Sequence, residues 1–291
     1  MSVADLVDEI FRLYRPNKAL FFGVSATIWL PASIALFVFQ LGYFGGRPAF
    51  DTPIRPLSPQ DLSDSVIAAF GALAIAFIIG VVAGPLLLGG VTAAVSARYL
   101  AQPMAITPAV RRAFGCYLRI TASYAVVAVV ALLALIGTGI AGAFIAARVG
   151  GAVGAILAVV TVVVAVVAVM WIATTWSLAG QAVVIEDVGV RGALRRSQTL
   201  VAGSRWRVIG INLLLGLIQA VLFTIPSTVV AVVTAPLPSP LGPAVSEVVT
   251  SLAQIAYFPI QLGTLTLLYY DLRVRKEAFD LSLAADQLAR A

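Results

Sequence analysis

Four amides and six arginines stand out in this sequence by type and spacing. Asn212 and Gln219 are seven residues apart, as are Gln254 and Gln261. Each pair therefore lies on one face of its helix. Side-chain amides set in apolar helices either hydrogen-bond to a neighbouring helix, contributing about 0.6–2 kcal/mol each, or line a polar crevice for a substrate. Pro226 and Pro259 fall in the same two stretches and would kink them, and the carbonyls they free could assist such a site. The arginines, Arg111, Arg112, Arg195, Arg196, Arg273 and Arg275, suit a different task, because guanidinium groups bind phosphate oxygens in a planar fork. Their expected contacts are lipid phosphate or a protein partner.

Most catalytic chemistry lacks its residues here. The 291-residue chain has no histidine and a single cysteine, Cys116, which removes the commonest acid–base group and the usual zinc sites. Neither a phosphate-binding Walker loop nor a Gly-x-Ser-x-Gly elbow occurs. Glu186, Asp187, Glu247 and Asp271 sit at the ends of apolar runs, and none lies mid-run where a proton relay would need it. The expectation is no catalysis, no metal and no cofactor. Cys116 has no partner for an internal disulfide and reads as a small packed residue.

The elements that carry these residues are defined by charge. Uncharged runs cover 19–46, 66–97, 120–147, 149–185, 208–246 and 248–270. Each exceeds the roughly 20 apolar residues needed to cross about 30 Å of hydrocarbon. All of the 19 Lys and Arg residues except Arg47, Arg55 and Arg148 lie before the first run, between the second and third, between the fourth and fifth, or after the sixth. By the positive-inside rule these gaps and both termini are cytoplasmic. The predicted fold is all-α: a polytopic integral membrane protein of six transmembrane helices. The net charge of +6 sits at span ends, where anionic lipid attracts it. Membrane lipids, and not nucleic acid, are the expected partners.

Short amphipathic helices precede pairs of spans. Val3, Leu6, Val7, Ile10, Phe11 and Tyr14 recur at helical spacing before Pro16. After the cap Thr107-Pro108, Val110, Ala113, Phe114 and Tyr117 oppose Arg111 and Arg112. After Glu186-Asp187, Val190, Ala193, Leu194, Leu200 and Val201 oppose Arg191, Arg195 and Arg196. The second and third helices align with their arginine pairs in register. This predicts interfacial helices and possible repeats over 1–103, 104–185 and 186–280, within one membrane domain spanning 1–280 and followed by a cytoplasmic tail, 281–291. A proline-rich loop at 45–64, closed by the capping box Ser58–Asp61, and a proline-rich turn at 235–243 face outward. Gly80 with Gly84, Gly142 with Ala146, and Gly150, Gly151 and Gly154 mark expected close helix contacts.

The last stretch, 267–281, is the most distinctive. Tyr269 and Tyr270 suit a headgroup-level aromatic belt. Asp271 and Arg275 are spaced to pair, which leaves Arg273 and Lys276 to face phosphate. This tail, with Val184-Ile185-Glu186-Asp187, Ala193-Leu194-Arg195-Arg196-Ser197, Leu200-Val201 and Trp206, and the opening Phe11-Arg12-Leu13-Tyr14-Arg15, resembles the bacterial glycerophosphoryl diester phosphodiesterase membrane-domain family. That resemblance implies a helical domain of the bacterial inner membrane. The enzyme's catalytic barrel, with its metal-binding Glu, Asp and His, does not follow in the sequence, so the phosphodiesterase activity is not implied.

Two functions follow as expectations. The first is a non-catalytic accessory or scaffold protein of the bacterial envelope, acting through its basic cytoplasmic helices on lipid or on a membrane or cytoplasmic protein partner. The second is a carrier or lipid-handling protein with a polar midplane site between the fifth and sixth spans, built from Asn212, Gln219, Gln254 and Gln261.

Overall fold

Helix is the only regular structure in the computed structural model, which describes residues 3–44, 59–234 and 241–277. In chain order the helices are α1 (Val3–Tyr14), α2 (Lys18–Phe44), α3 (Pro59–Tyr99), α4 (Ile106–Val149), α5 (Gly151–Thr175), α6 (Ala179–Glu186), α7 (Val190–Val201), α8 (Arg205–Thr234) and α9 (Leu241–Glu277). A short 3₁₀ turn, Arg15–Asn17, joins α1 to α2. Among the described residues, six stretches are long and apolar enough to cross a membrane: Asp8–Val38, Phe77–Tyr99, Ile106–Val149, Gly151–Glu186, Arg205–Thr234 and Ala244–Glu277. This is the architecture of a multi-pass membrane protein, in which helices close every backbone hydrogen bond within the segment. Most of the expected outer loop, Ser58 of its capping box, positions 235–240 of the second turn and the tail from 278 lie outside the described residues.

The helices divide into two compact units, one holding residues up to Gly115 together with Asn212–Leu267, the other Cys116–Ile211 and the chain from Leu268. Small residues bring the helices of the first unit together. A Cβ on Gly263 would fall 2.4 Å from Ile10 Cδ1, one on Gly23 2.4 Å from Ile106 Cδ1, and one on Gly90 2.9 Å from Val24 Cγ1. The second half of α3 supplies the core: Leu87, Val91, Ala94 and Val95 are buried. Thr92 and Thr266, both fully buried, meet at 3.3 Å. α1 turns Leu6 and Ile10 inward until protein covers them completely, so these two apolar residues are not left for lipid.

In the second unit α4 and α5 form a hairpin through Gly150 and Gly151, with φ of 65° and 56°. Only glycine adopts this geometry readily. A Cβ on Gly142 would lie 2.2 Å from Thr161 Cγ2, and one on Gly154 2.7 Å from the Ala146 carbonyl oxygen, so this pair of helices packs as the small residues predicted. Gly80 and Gly84 have nothing within 4 Å of such a position. The outward surface of α5 is a valine sheath: Val159, Val160, Val162, Val163, Val164, Val166 and Val167 are all exposed.

Two expected elements differ. The short helix at 107–117 does not stand apart; it runs without interruption into the third span as one helix of 44 residues, because no proline after its first turn and no capping residue stops it. Its buried row is Ala109, Ala113, Cys116 and Ile120, whereas Phe114 is 64% exposed; small side chains permit the close approach that Phe114 would block. The fourth span is broken at Trp176–Leu178 and resumes as α6.

Candidate functional site

α7 is placed by its small and hydroxyl residues. Ala193, Ser197, Leu200 and Val201 are buried. Ser197 Oγ donates to the Thr175 carbonyl at 2.8 Å and accepts from the Leu178 amide at 3.2 Å. A single hydroxyl thus ties together both sides of the break between α5 and α6, where backbone groups have lost their helical partners. α6 then ends at Asp187, in the left-handed region at φ 55°. Arg119 holds this turn, donating to the Asp187 carbonyl at 3.0 Å and to its carboxylate at 2.7 Å.

These turns bring a polar cluster of the second unit together around Glu186. Its Oε1 accepts from Tyr269 Oη at 2.5 Å and Arg196 Nε at 2.9 Å, with Arg273 Nε at 3.5 Å. The Arg196 guanidinium forks onto Glu277, one arm to Oε1 and the other to Oε2 at 2.6 Å. Arg273 Nε also reaches Glu277 Oε2 at 3.3 Å. The hydrogen bonds with Glu277, and after them those with Glu186, outweigh burial and hold the Arg196 pKa above its ordinary value. Beside this network, Asp271 is nearly buried and accepts from Arg207 at 2.7 Å and Arg275 at 3.0 Å. Lys276 donates to the Thr199 carbonyl at 2.8 Å and to that of Ala202. The Asp271–Arg275 pair forms as its spacing predicts. Arg273 and Lys276, however, are engaged within the protein, and Tyr269 and Tyr270 are buried and take no place in a headgroup belt. For Tyr269 and Arg273 the carboxylates of Glu186 and Glu277 are the reason, since largely buried carboxylates need donors.

The candidate contact arginines consequently separate. Arg196, Arg273 and Arg275 are ion-paired. The guanidinium groups of Arg111 and Arg195 are exposed and have no hydrogen-bond or ion-pair partner among the described residues. Arg111 and Arg112 line a groove of about 580 Å³ with Thr107, Pro108 and Gly115.

In the first unit the four amides are only partly brought together. Gln261 Nε2 donates to Gln219 Oε1 at 3.3 Å. Gln219 and Gln254 line a shallow groove of about 470 Å³ with Gly216, Ala220, Phe223, Ser227 and Thr250. Asn212 is not among its lining residues. Tyr257 locks α9 to α8 nearby, donating to the Leu215 carbonyl at 2.6 Å while its ring meets Phe223 edge-on.

Among the described residues, no group of three or more acidic, cysteine or histidine side chains is placed to hold a metal ion. A family model described as a domain of unknown function, DUF7847, matches residues 15–272. The chain belongs to this family. The DUF7847 match takes in both arginine pairs, all four amides, Glu186 and Asp271. No curated protein and no solved structure matches the chain.

Sequence reasoning missed Gln181, a fully buried amide in α6 whose nitrogen and oxygen both lack a hydrogen-bond partner among the described residues. It also missed the role of Ser197. Only the proximity of Ser197 to the matched arginines marked it, because neither carbonyl nor amide partner leaves a trace in side-chain identity.

Proposed function

We propose that this protein is a non-catalytic scaffold or accessory protein of the bacterial inner membrane, with both termini cytoplasmic, whose working residues are Arg111 and its neighbour Arg112 on α4 and, separately, Arg195 on α7. The observation that carries this reading is the division of the arginines. Arg196, Arg273 and Arg275 are occupied by carboxylates of the chain itself. Arg111 and Arg195 keep their full binding capacity, and an exposed guanidinium with no internal partner favours an external phosphate or carboxylate. The membrane assignment rests on the six apolar helices, and its sidedness on the basic gaps. The test is purification of the tagged full chain from native membranes, with and without Arg111→Gln, Arg112→Gln and Arg195→Gln together. A stoichiometric protein partner lost in the triple variant is the expected result. A partner retained at full occupancy in that variant overturns the reading.

The groove beside Gln219 and Gln254 favours a second reading, a carrier with a polar site between α8 and α9. It predicts a small molecule that co-purifies with the chain and is lost on Gln219→Leu with Gln254→Leu, while the arginine variant retains it.

A further inference from the structure

We propose that the start of α4 is a binding site for one anionic phospholipid, its phosphate on Arg111 and an acyl chain along Ile106, Val110 and Phe114. This deepens the reading of the α4 arginines as a working surface and rests on it. Residues of the helix sort into rows. The row formed by Ala109, Ala113, Cys116 and Ile120 is completely buried, which fixes the rotation of the helix and turns the other rows outward. On one side of Arg111 lies the basic groove lined by Thr107, Pro108, Arg111, Arg112 and Gly115. On its other side lies a groove of about 400 Å³ lined by Thr27, Ile106, Thr107, Val110, Arg111 and Phe114. Thr107 and Arg111 line both. Two grooves with largely apolar walls therefore meet at the Arg111 guanidinium, and Arg112 adds a second charge to the first of them.

That juxtaposition fits an amphiphile. A soluble anion would satisfy Arg111 but leave the apolar groove exposed, and a neutral lipid would fill the groove but leave the charge without a partner. Phe114 and Leu118 are 64% and 77% exposed, so the exposed apolar surface of α4 reaches to within one helical turn of Arg111. The charge balance also points outward. The sequence contains no Asp or Glu anywhere from 65 to 185, so nothing in this long stretch competes for the guanidinium. The Arg111 guanidinium and the Thr107 hydroxyl supply the donors that a phosphodiester oxygen accepts, and Arg112 adds positive charge to the groove.

The experiment is native mass spectrometry of the full chain in neutral detergent, titrated separately with phosphatidylglycerol, phosphatidylcholine and inorganic phosphate. One phosphatidylglycerol per chain should be retained in preference to phosphatidylcholine. Arg111→Gln should weaken it by about fivefold or more, and Phe114→Ala should weaken it as well. Arg195→Gln, on α7, should leave it within about twofold. Gly115→Glu is a second variant at an open position and should also abolish the preference, by placing a carboxylate one turn from Arg111. Equal losses from Arg111→Gln and Arg195→Gln would mean diffuse attraction to charge and overturn the site. Displacement by millimolar phosphate with no effect of Phe114→Ala would make it a free-anion site and overturn the lipid. Should Arg111→Gln release a protein partner yet keep the lipid, the lipid site falls and the scaffold reading stands. Should it release the lipid yet keep the protein partner, the scaffold reading falls and the lipid site stands.

Discussion

Pro108-Ala109-Val110-Arg111-Arg112-Ala113 and Gly192-Ala193-Leu194-Arg195-Arg196-Ser197 share a pattern and bury the same positions. Ala109 and Ala113 match Ala193 and Ser197, and all four are fully buried; Cys116 and Leu200 continue the two rows, also fully buried. The fates of the two segments then diverge. The first opens a helix of 44 residues, and its leading Arg111, like the matching Arg195, has no ion-pair partner among the described residues. The second forms a helix of 12 residues, and Arg196 is clasped by Glu186 and Glu277. What separates them is supplied from elsewhere in the chain. Acidic residues stand at both ends of the second segment's neighbourhood, 10 and 81 positions from Arg196, and none lies within the first segment's stretch. An arginine pair is an adhesive, and the placement of carboxylates decides whether it binds the protein or its surroundings.

The comparison can be broken most forcefully at Arg196. Arg196→Gln should cost about 2–4 kcal/mol. The lower end is favoured because Glu186 keeps Tyr269 and Arg273 and because Glu277 remains partly wet. Unfolding in graded mixtures of denaturing and mild detergent measures this, and an unchanged midpoint would show that the ion network adds nothing. Ser197→Ala should cost about 1–2 kcal/mol in the same assay, since it strands the Thr175 carbonyl and the Leu178 amide. The matching change on the other helix, Ala113→Ser, should bring no gain, because no broken span waits there for a hydroxyl. Gly115→Glu should convert the exposed pair toward the paired kind, stabilising by about 0.5–1 kcal/mol through helix propensity and by a few tenths through the new ion pair. The smallest effect is expected from Arg111→Gln, within about 0.5 kcal/mol. A larger loss would mean that Arg111 has a structural duty.

How far the sequence anticipates the fold depends on the range of the interaction concerned. Six apolar spans follow from uncharged runs, a local property, and six apolar helices are found. The contact between Gln219 and Gln261 is foreshadowed by paired sevens, since two helix faces with matching amides have few other uses. The α4 helix reads as two pieces, because a proline and basic residues resemble a boundary; Pro108 sits in the first turn, where it starts a helix and does not end one. Local grounds place Arg273 and Tyr269 at the membrane surface, whereas their partner is Glu186, more than eighty residues away. Long-range pairing of this kind follows from how α6, α7 and α9 are brought together, which no single stretch encodes. Arg119 illustrates the same limit, because its partner Asp187 depends on a left-handed turn that closes α6, two helices later.

The valine sheath of α5 has a consequence for handling the protein. Valine is a weak helix former, stiff at its first torsion and at home in strands. A run from Val159 to Val167 that is almost wholly valine is helical here because hydrocarbon leaves backbone groups no partner outside their own segment. Diluted from detergent into water, that constraint is lifted, and the same residues match the short, uncharged, strongly β-prone segments that stack into fibrils. Refolding from denaturant should accordingly fail first at this helix, with aggregates rich in intermolecular sheet, unless lipid or detergent is present before the denaturant is withdrawn.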